Sequence, residues 1–173
     1  MPGDCRNPKA VGDRTEGIVL SELVRLGKHV LISPFTENVR YDLVVEEHGC
    51  FVPVQVKTGR LNCYGAVQFH SCSVRRGGLG GRRPYRGECE LFAVYCPETD
   101  QVYYVPVTEC GSTETVLRIR TPRNGQLKGV RWARDYESFP SLSRLGLASP
   151  PPRIASHTSL RTPRESSRPG LNR

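Results

Sequence analysis

The sequence has few of the features that mark a membrane protein, a zinc module or a secreted disulfide-bonded fold. No apolar run approaches the length of a membrane span. The seven cysteines form no CxxC pair, so the closely spaced ligands of a zinc knuckle or ribbon are missing. Their odd number and the lack of an apolar leader favour reduced thiols, and we expect a cytoplasmic protein with no membrane partner.

Negative charge is also scarce, and the excess positive charge lies mainly in two segments of irregular composition. Lys and Arg number 25 against 17 Asp and Glu, which gives a net charge of +8 and favours polyanionic partners, nucleic acid first. The Gly/Arg-rich segment 75–87 lacks the GxxxxGK(S/T) spacing of a P-loop. It carries Arg75, Arg76, Arg82, Arg83 and Arg86. These arginines are either solvated or bind DNA phosphates.

The second basic segment is at the C-terminal end. Residues 149–173 contain five Pro, five Ser and five Arg with one acid, Glu165. Such a composition cannot bury enough apolar surface to offset the entropy of ordering. We therefore predict one domain over residues 1–140 and a disordered basic tail over 141–173.

The periodicity of the remaining chain predicts one helix followed by short strands. The helix is expected between Asp13, as N-cap, and Gly27. A helix followed by strands indicates an α/β or α+β fold. The expected strands are His29–Ser33, Tyr41–Glu46, Phe51–Thr58, Ala66–His70, Leu91–Tyr95, Val102–Val107 and Val116–Arg120.

The hairpin centred on His48-Gly49 carries the most informative pattern. If these two residues form the turn, Asp42 faces Gln55, and Arg40 faces Lys57. Alternation along the strands then gives one apolar face and one face with a carboxylate, an amide and a lysine. An ordinary solvent face would look the same.

The chemistry of these groups fits phosphodiester cleavage. Mg²⁺ prefers hard oxygen ligands, and the Asp42 carboxylate, the Gln55 amide and the Val56 carbonyl offer them. Lys57 is suited to orient or deprotonate a water, or to stabilise phosphate charge. Arg40, at the edge of the site, is a candidate contact for the scissile phosphate.

Glu16 is placed on the helix to join this group. It lies on the stripe that includes Leu20 and Leu23, which we expect to face the sheet. The competing interpretation is a capping-box partner for Asp13. Glu22 is expected to form a surface ion pair with Arg25 instead.

Taken together, these residues resemble the PD-(D/E)XK nuclease superfamily, in particular the branch of group I intron-encoded homing endonucleases. The resemblance rests on Glu16 and on the segments 40–43 and 54–58, followed by blocks at 85–88, 91–95, 102–107, 117–119, 124–125 and 130–133, and by Tyr136. It implies a restriction-endonuclease-like core with a central mixed sheet flanked by helices. It also implies that Asp42, Gln55 and Glu16 bind Mg²⁺ and that Lys57 is catalytic.

Two departures from the general superfamily pattern are present. Gln55 stands at the second acidic position, and no proline precedes Asp42. The missing negative charge should weaken Mg²⁺ binding and disfavour a second metal.

The resulting expectation is a Mg²⁺-dependent endonuclease for double-stranded DNA, of the homing or another site-specific type. A duplex cutter has two strands to cleave, so we expect a homodimer or homotetramer. Two alternatives stay open at this point: a Holliday-junction resolvase or repair nuclease with the same core, and a DNA-binding module without activity.

Overall fold

The computed structural model describes residues 7–32, 39–74, 81–121, 125 and 127–148. Helix α1 spans Pro8–Arg25. Within the described residues, strands β1 to β10 span His29–Ile32, Leu43–Glu47, Cys50–Thr58, Arg60–Leu61, Ala66–His70, Cys72–Val74, Arg82–Pro84, Leu91–Cys96, Gln101–Pro106 and Glu114–Arg118. Two short 3-10 helices span Val107–Glu109 and Ala133–Tyr136.

The main sheet is mixed, as predicted. Its strand order is β1-β2-β3-β8-β9, with β3 and β8 parallel and the other neighbours antiparallel. A smaller antiparallel sheet has the order β10-β5-β4, and β6 pairs with β7. Strand β4 follows β3 after the single residue Gly59, so the main sheet leads directly into the smaller one.

Alternating side chains give the main sheet a separate core on each face. Helix α1 packs Val19 and Leu23 on one face, where Val54 of β3 is also fully buried. Each such side chain contributes about 1.5–3 kcal/mol when it leaves water. Phe92 and Val94 of β8 point to the other core, which includes side chains of the smaller sheet. Gln55 and Lys57 are paired with Phe92 and Val94 and therefore share this second face.

The hairpin between β2 and β3 has the predicted register. Leu43 pairs with Val54 and Glu47 with Cys50, so the predicted pairing is confirmed. His48 and Gly49 have φ angles of 51° and 83°, as a type I′ turn requires. Strand β2 begins at Leu43, so Asp42 lies just before it rather than inside it.

Helix α1 begins earlier than predicted. Asn7 is the N-cap, and its Oδ1 accepts hydrogen bonds from the N–H groups of Lys9 and Ala10 at 3.1 and 3.4 Å. Pro8 occupies the first helical position, where a missing N–H has no cost. Asp13 therefore lies inside the helix, and the predicted N-cap at Asp13 is wrong. The capping-box interpretation of Glu16 falls with it.

The basic segment 75–87 and the C-terminal boundary also differ from the prediction where the structure describes them. Arg82–Pro84 forms β7, which pairs with β6. Leu142 and Leu145 are buried in the core beside α1, so the fold continues past the predicted boundary at residue 140. Residues 75–80 and 149–173, with Arg75, Arg76 and most of the predicted tail, lie outside the described residues.

Two expectations about the chain as a whole can be checked on the described residues. No helix among them has the length and apolarity that crossing a bilayer requires. The six cysteines in this part of the chain are free thiols.

Candidate active site

The end of strand β2 places the Asp42 carboxylate against β3. The Asp42 N–H donates to the Val54 carbonyl at 2.9 Å, which fixes the backbone of Asp42 beside β3. Because β2 begins at Leu43, the next N–H on this side of β3, that of Val56, has no strand partner in β2. Asp42 Oδ2 accepts a hydrogen bond from it at 2.7 Å. The carboxylate thus extends the sheet and is locked in place.

Burial raises the pKa of Asp42. The Val56 N–H, the charge of Lys57 and the Gln55 amide oppose this effect, but the pKa stays above its ordinary value of 3.8. The surrounding donors therefore do not fully offset the loss of water around the carboxylate. A cation placed beside Asp42 would stabilise its charged form.

Gln55 joins two of the predicted ligand atoms through one nitrogen. Its side chain is buried, and its Nε2 donates to Asp42 Oδ2. The same Nε2 donates to the Val56 carbonyl at 3.3 Å. A carboxylate oxygen and a carbonyl oxygen thus converge on one electropositive group.

Glu16 approaches this group from α1. Thr15, its neighbour in sequence, is buried and its Oγ1 lies 2.7 Å from Oγ1 of Thr58 at the end of β3. Partial burial raises the pKa of Glu16, and the negative charges of Asp42 and then Asp13 add to the effect. Glu16 is nevertheless exposed, so solvent screens much of this repulsion. Glu22 forms the predicted surface pair, with its Oε1 2.8 Å from Arg25 Nη2.

Lys57 is anchored by an aromatic residue. Its Nζ donates to the hydroxyl of Tyr85 at 3.0 Å and lies 4.7 Å from the centre of the Tyr85 ring. Lys57 is the second residue after Gln55 on β3 and therefore projects from the same face. Its ammonium also helps to hold down the pKa of Asp42.

Arg40 lies on the same tyrosine but is engaged by the protein. Its guanidinium carbon is 4.1 Å from the ring centre of Tyr85, and its Nε is 2.6 Å from Glu88 Oε2. Nη1 donates to Ser73 Oγ at 2.7 Å, and Nη2 donates to the backbone carbonyls of Arg83 and Pro84. Arg40 would have to give up such contacts to bind a phosphate.

The other predicted DNA-binding arginines in the described residues lie nearby on the surface. Arg82 and Arg83 are exposed on β7, and Arg83 pairs with Glu88. Arg86 is exposed and donates to the carbonyl of Thr108 at 3.3 Å.

The sequence interpretation gave no role to Tyr85, Glu88 or Ser73. Tyr85 and Glu88 belong to block 85–88 of the family resemblance, which suggested no role for either side chain. Gly87 has a φ of 79°, and the N–H of Glu88 donates to the carbonyl of Tyr85 at 2.9 Å. This turn places both side chains around Arg40.

The donor set is short of acidic residues. Among the described residues, no group of three or more His, Cys, Asp and Glu side chains is placed to hold a metal ion. Two oxygens meet at Gln55 Nε2, one from the Asp42 carboxylate and one from the Val56 carbonyl, and the Glu16 carboxylate is close enough to be affected by the charge of Asp42. All are hard oxygen donors of the kind that Mg²⁺ accepts.

Comparison with known proteins identifies the family and the fold of this chain. The sequence profile described as PD-(D/E)XK endonuclease matches residues 6–139. The fold is similar to that of a bacterial homing endonuclease, I-Ssp6803I, with a TM-score of 0.61 and 24% sequence identity. The similarity covers 75% of this chain and 88% of that chain. No curated protein matches. The restriction-endonuclease-like fold is thereby confirmed, and the chain belongs to the PD-(D/E)XK endonuclease family.

Proposed function

We propose that this protein is a Mg²⁺-dependent endonuclease that hydrolyses phosphodiester bonds in double-stranded DNA. Glu16, Asp42, Gln55 and Lys57 form its active site. The observation that carries the proposal is the locked Asp42 carboxylate, which converges with the Val56 carbonyl on one side-chain nitrogen of Gln55. Family membership supplies the reaction class.

The residues present fit one Mg²⁺ ion. Asp42, the Val56 carbonyl and Glu16 would hold it, and Gln55 would join them by presenting its amide oxygen instead of Nε2. Bound Mg²⁺ supplies neutralisation of phosphate charge and a water of lowered pKa. Nε2 already marks a place where Oδ2 of Asp42 and the Val56 carbonyl both accept from one electropositive partner.

Lys57 supplies a positive charge on the same face as Gln55. Its ammonium has three donors, one of which is directed to Tyr85. The remaining donors are available to a phosphate oxygen or to the attacking water. Charge that develops on the phosphate in the transition state would be stabilised by this ammonium without reorganisation of the site.

A cleft leads from the end of β3 towards the smaller sheet. It has a volume of about 480 Å³, and its walls include Thr58, Arg60, Asn62 and Gln68. Arg60 and Gln68 face each other across β4 and β5. Thr58 contacts Thr15 of α1, so this cleft lies beside the helix, on the face of β3 opposite to Lys57.

Nicking of supercoiled plasmid DNA at low salt tests the proposal. Wild type, Asp42→Asn and Lys57→Met are compared in Mg²⁺ and in EDTA, with Asp135→Asn as a matched control on an exposed aspartate far along the chain. We expect cutting in Mg²⁺ only, lost in the first two variants and kept in the control. Binding without cutting, unchanged by either site variant, would replace the proposal with a DNA-binding module.

The likeness to a bacterial homing endonuclease supports the narrower proposal of site-specific cleavage. A library of plasmids with random inserts tests it, because a specific enzyme cuts a small subset of them at one sequence. Cleavage of branched junctions in preference to every linear site would indicate a junction resolvase instead. We also propose a homodimer or homotetramer, which light scattering after size-exclusion chromatography measures directly.

A further inference from the structure

The group around Tyr85 carries more contacts than a core tyrosine needs. The side chain is 6% exposed, and its ring meets Phe92 edge to face with centres 5.4 Å apart. On the site side it receives a hydrogen bond from Lys57 at 3.0 Å, and the guanidinium of Arg40 stacks on its ring. Two cations from different parts of the chain thus share one aromatic ring.

The charge of Arg40 is compensated within the protein, whereas Lys57 faces the site. Glu88 lies 2.6 Å from Arg40, and the turn at Gly87 holds Glu88 beside Tyr85. Glu88 also pairs with Arg83, so this group of two arginines and one glutamate holds Arg40 on the ring of Tyr85. The aromatic face and the hydroxyl of Tyr85 are left to act on Lys57.

We propose that Tyr85 is a positioning residue for Lys57 and that the Arg40–Glu88 pair holds Tyr85 in place. This inference rests on the proposed function, because it assigns Lys57 a role in cleavage. A lysine has a flexible four-carbon stem and loses much rotamer freedom when its ammonium must occupy one place. The Tyr85 hydroxyl restricts that ammonium before substrate binds, which lowers the cost of aligning it in the transition state.

The Tyr85→Phe variant tests the hydroxyl while it keeps the ring. The ring can still pack on Phe92 and under Arg40, so folding should be preserved. We expect kcat to fall by about 10-fold to 100-fold, the range for a lost hydrogen bond to a charged group. KM measured in Mg²⁺ should change by less than about twofold, and so should the DNA affinity measured by binding in EDTA.

Two comparisons separate positioning from a structural effect. Tyr136→Phe is the matched control, because Tyr136 is also a buried tyrosine of the same core and its hydroxyl donates to Glu109 at 2.7 Å. This control should keep kcat. In a Lys57→Met background, the residual nicking rate measured in single-turnover reactions with excess enzyme should not fall further on Tyr85→Phe, since the two residues act as one unit.

A readout that does not need cleavage keeps this inference separate from the proposed function. Trace acetylation of lysines followed by peptide mass spectrometry measures the reactivity of Lys57 in each variant. We expect Lys57 to react several-fold faster in Tyr85→Phe than in wild type and Tyr136→Phe. Unchanged kcat, or unchanged labelling of Lys57, would overturn the positioning role. An inactive wild type with faster labelling in Tyr85→Phe would overturn the proposed function while the anchoring of Lys57 stands.

Discussion

The substitution Gln55→Glu tests whether the hydrogen bonds donated by Gln55 stabilise the proposed metal site. In the structure, Nε2 of Gln55 is a donor to the Asp42 carboxylate and to the Val56 carbonyl. A glutamate in its place offers only acceptors and adds a second negative charge. We therefore expect the variant to be destabilised in EDTA and to regain stability when Mg²⁺ is added.

The magnitude follows from the contacts that change. A hydrogen bond to a charged group contributes about 1.5–3 kcal/mol, and its loss is the minimum effect. Two carboxylates about 4 Å apart repel each other by about 4 kcal/mol at an effective dielectric constant of about 20. Partial protonation and small movements relieve part of this repulsion, so we expect a loss of about 2–4 kcal/mol. For a chain of this length, the melting temperature should fall by roughly 5–15 °C.

Thermal unfolding in EDTA and over a Mg²⁺ titration measures both halves of the prediction. A ligand at about 100 times its Kd returns about 2.7 kcal/mol to the folded state. The glutamate adds a charged ligand, so the Mg²⁺-induced rise in melting temperature should be larger in Gln55→Glu than in wild type.

Gln68→Glu is the matched control for this experiment. Gln68 also donates an amide hydrogen bond to a carboxylate, that of Glu114, at 2.6 Å, but it lies on the smaller sheet and is partly exposed. Its substitution should cost less than about 1 kcal/mol and give no added Mg²⁺ response. If Gln55→Glu melts at the wild-type temperature in EDTA, or gains no more from Mg²⁺ than wild type does, the assigned metal position is refuted.

Three further predictions concern the framework of the site. Asn7→Ala removes the N-cap of α1 and should lower the free energy of unfolding by about 1 kcal/mol in urea titrations. Gly59→Ala places a Cβ 2.8 Å from a Val67 methyl group, so we expect a loss of about 1–3 kcal/mol and reduced plasmid nicking. The hydrogen bond from Arg144 lowers the pKa of Glu109 below its ordinary 4.5. The stability that this adds is present above about pH 4.5 and is lost as pH falls through the lowered pKa. Both groups are about one-third exposed, so this contribution to the free energy of unfolding should be less than about 1 kcal/mol. Acid titrations of Glu109→Gln should lack it.

Each of these predictions has an outcome that contradicts it. Asn7→Ser keeps a capping oxygen, so a loss equal to that of Asn7→Ala would exclude the capping role. Unchanged stability of Gly59→Ala would show that Val67 of β5 and Val94 of β8, whose methyl groups would lie 2.8 and 2.9 Å from the new Cβ, move aside without cost. An acid unfolding curve of Glu109→Gln that is parallel to wild type would remove the Arg144 contact as a source of pH dependence.

The hairpin that carries the site could be predicted from the sequence because its determinants are local. His48-Gly49 supplies the positive φ angles of the turn, and the alternation on either side permits a single register. The pairing of Leu43 with Val54 then follows, and Asp42 comes to lie beside β3. The placement of Asp42 with Gln55 and Val56 required only this strand geometry.

The start of α1 could not be found from apolar periodicity. No residue of the helix before Thr15 is buried, so the apolar stripe becomes visible only near Ile18. The capping signal was present in Asn7-Pro8, which combines an N-cap residue with a proline at the first helical position. A pattern of hydrophobicity alone gives such a segment no weight.

The residues that surround Lys57 could not be predicted from the sequence for a different reason. Arg40, Ser73, Tyr85 and Glu88 come from separate parts of the chain and meet only after β6 and β7 pair and the turn at Gly87 forms. No periodicity in the sequence connects them. The face that holds Gln55 and Lys57 therefore looked like a solvent face, although Gln55 is 8% exposed.

The choice of glutamine at position 55 links the folding of the hairpin to its chemistry. A carboxylate there would place a second negative charge against the half-buried Asp42, so the fold would be less stable until a cation was bound. The amide donor of Gln55 instead satisfies Asp42 and the Val56 carbonyl within the fold. Under the proposed function, the same amide would rotate to present its oxygen, so the site would form first and accept the metal afterwards. This order would have a cost, because the amide would have to break its hydrogen bond to Asp42 before its oxygen could bind the metal. We therefore expect Mg²⁺ to bind wild type more weakly than Gln55→Glu, and calorimetric titration of both proteins measures that difference directly.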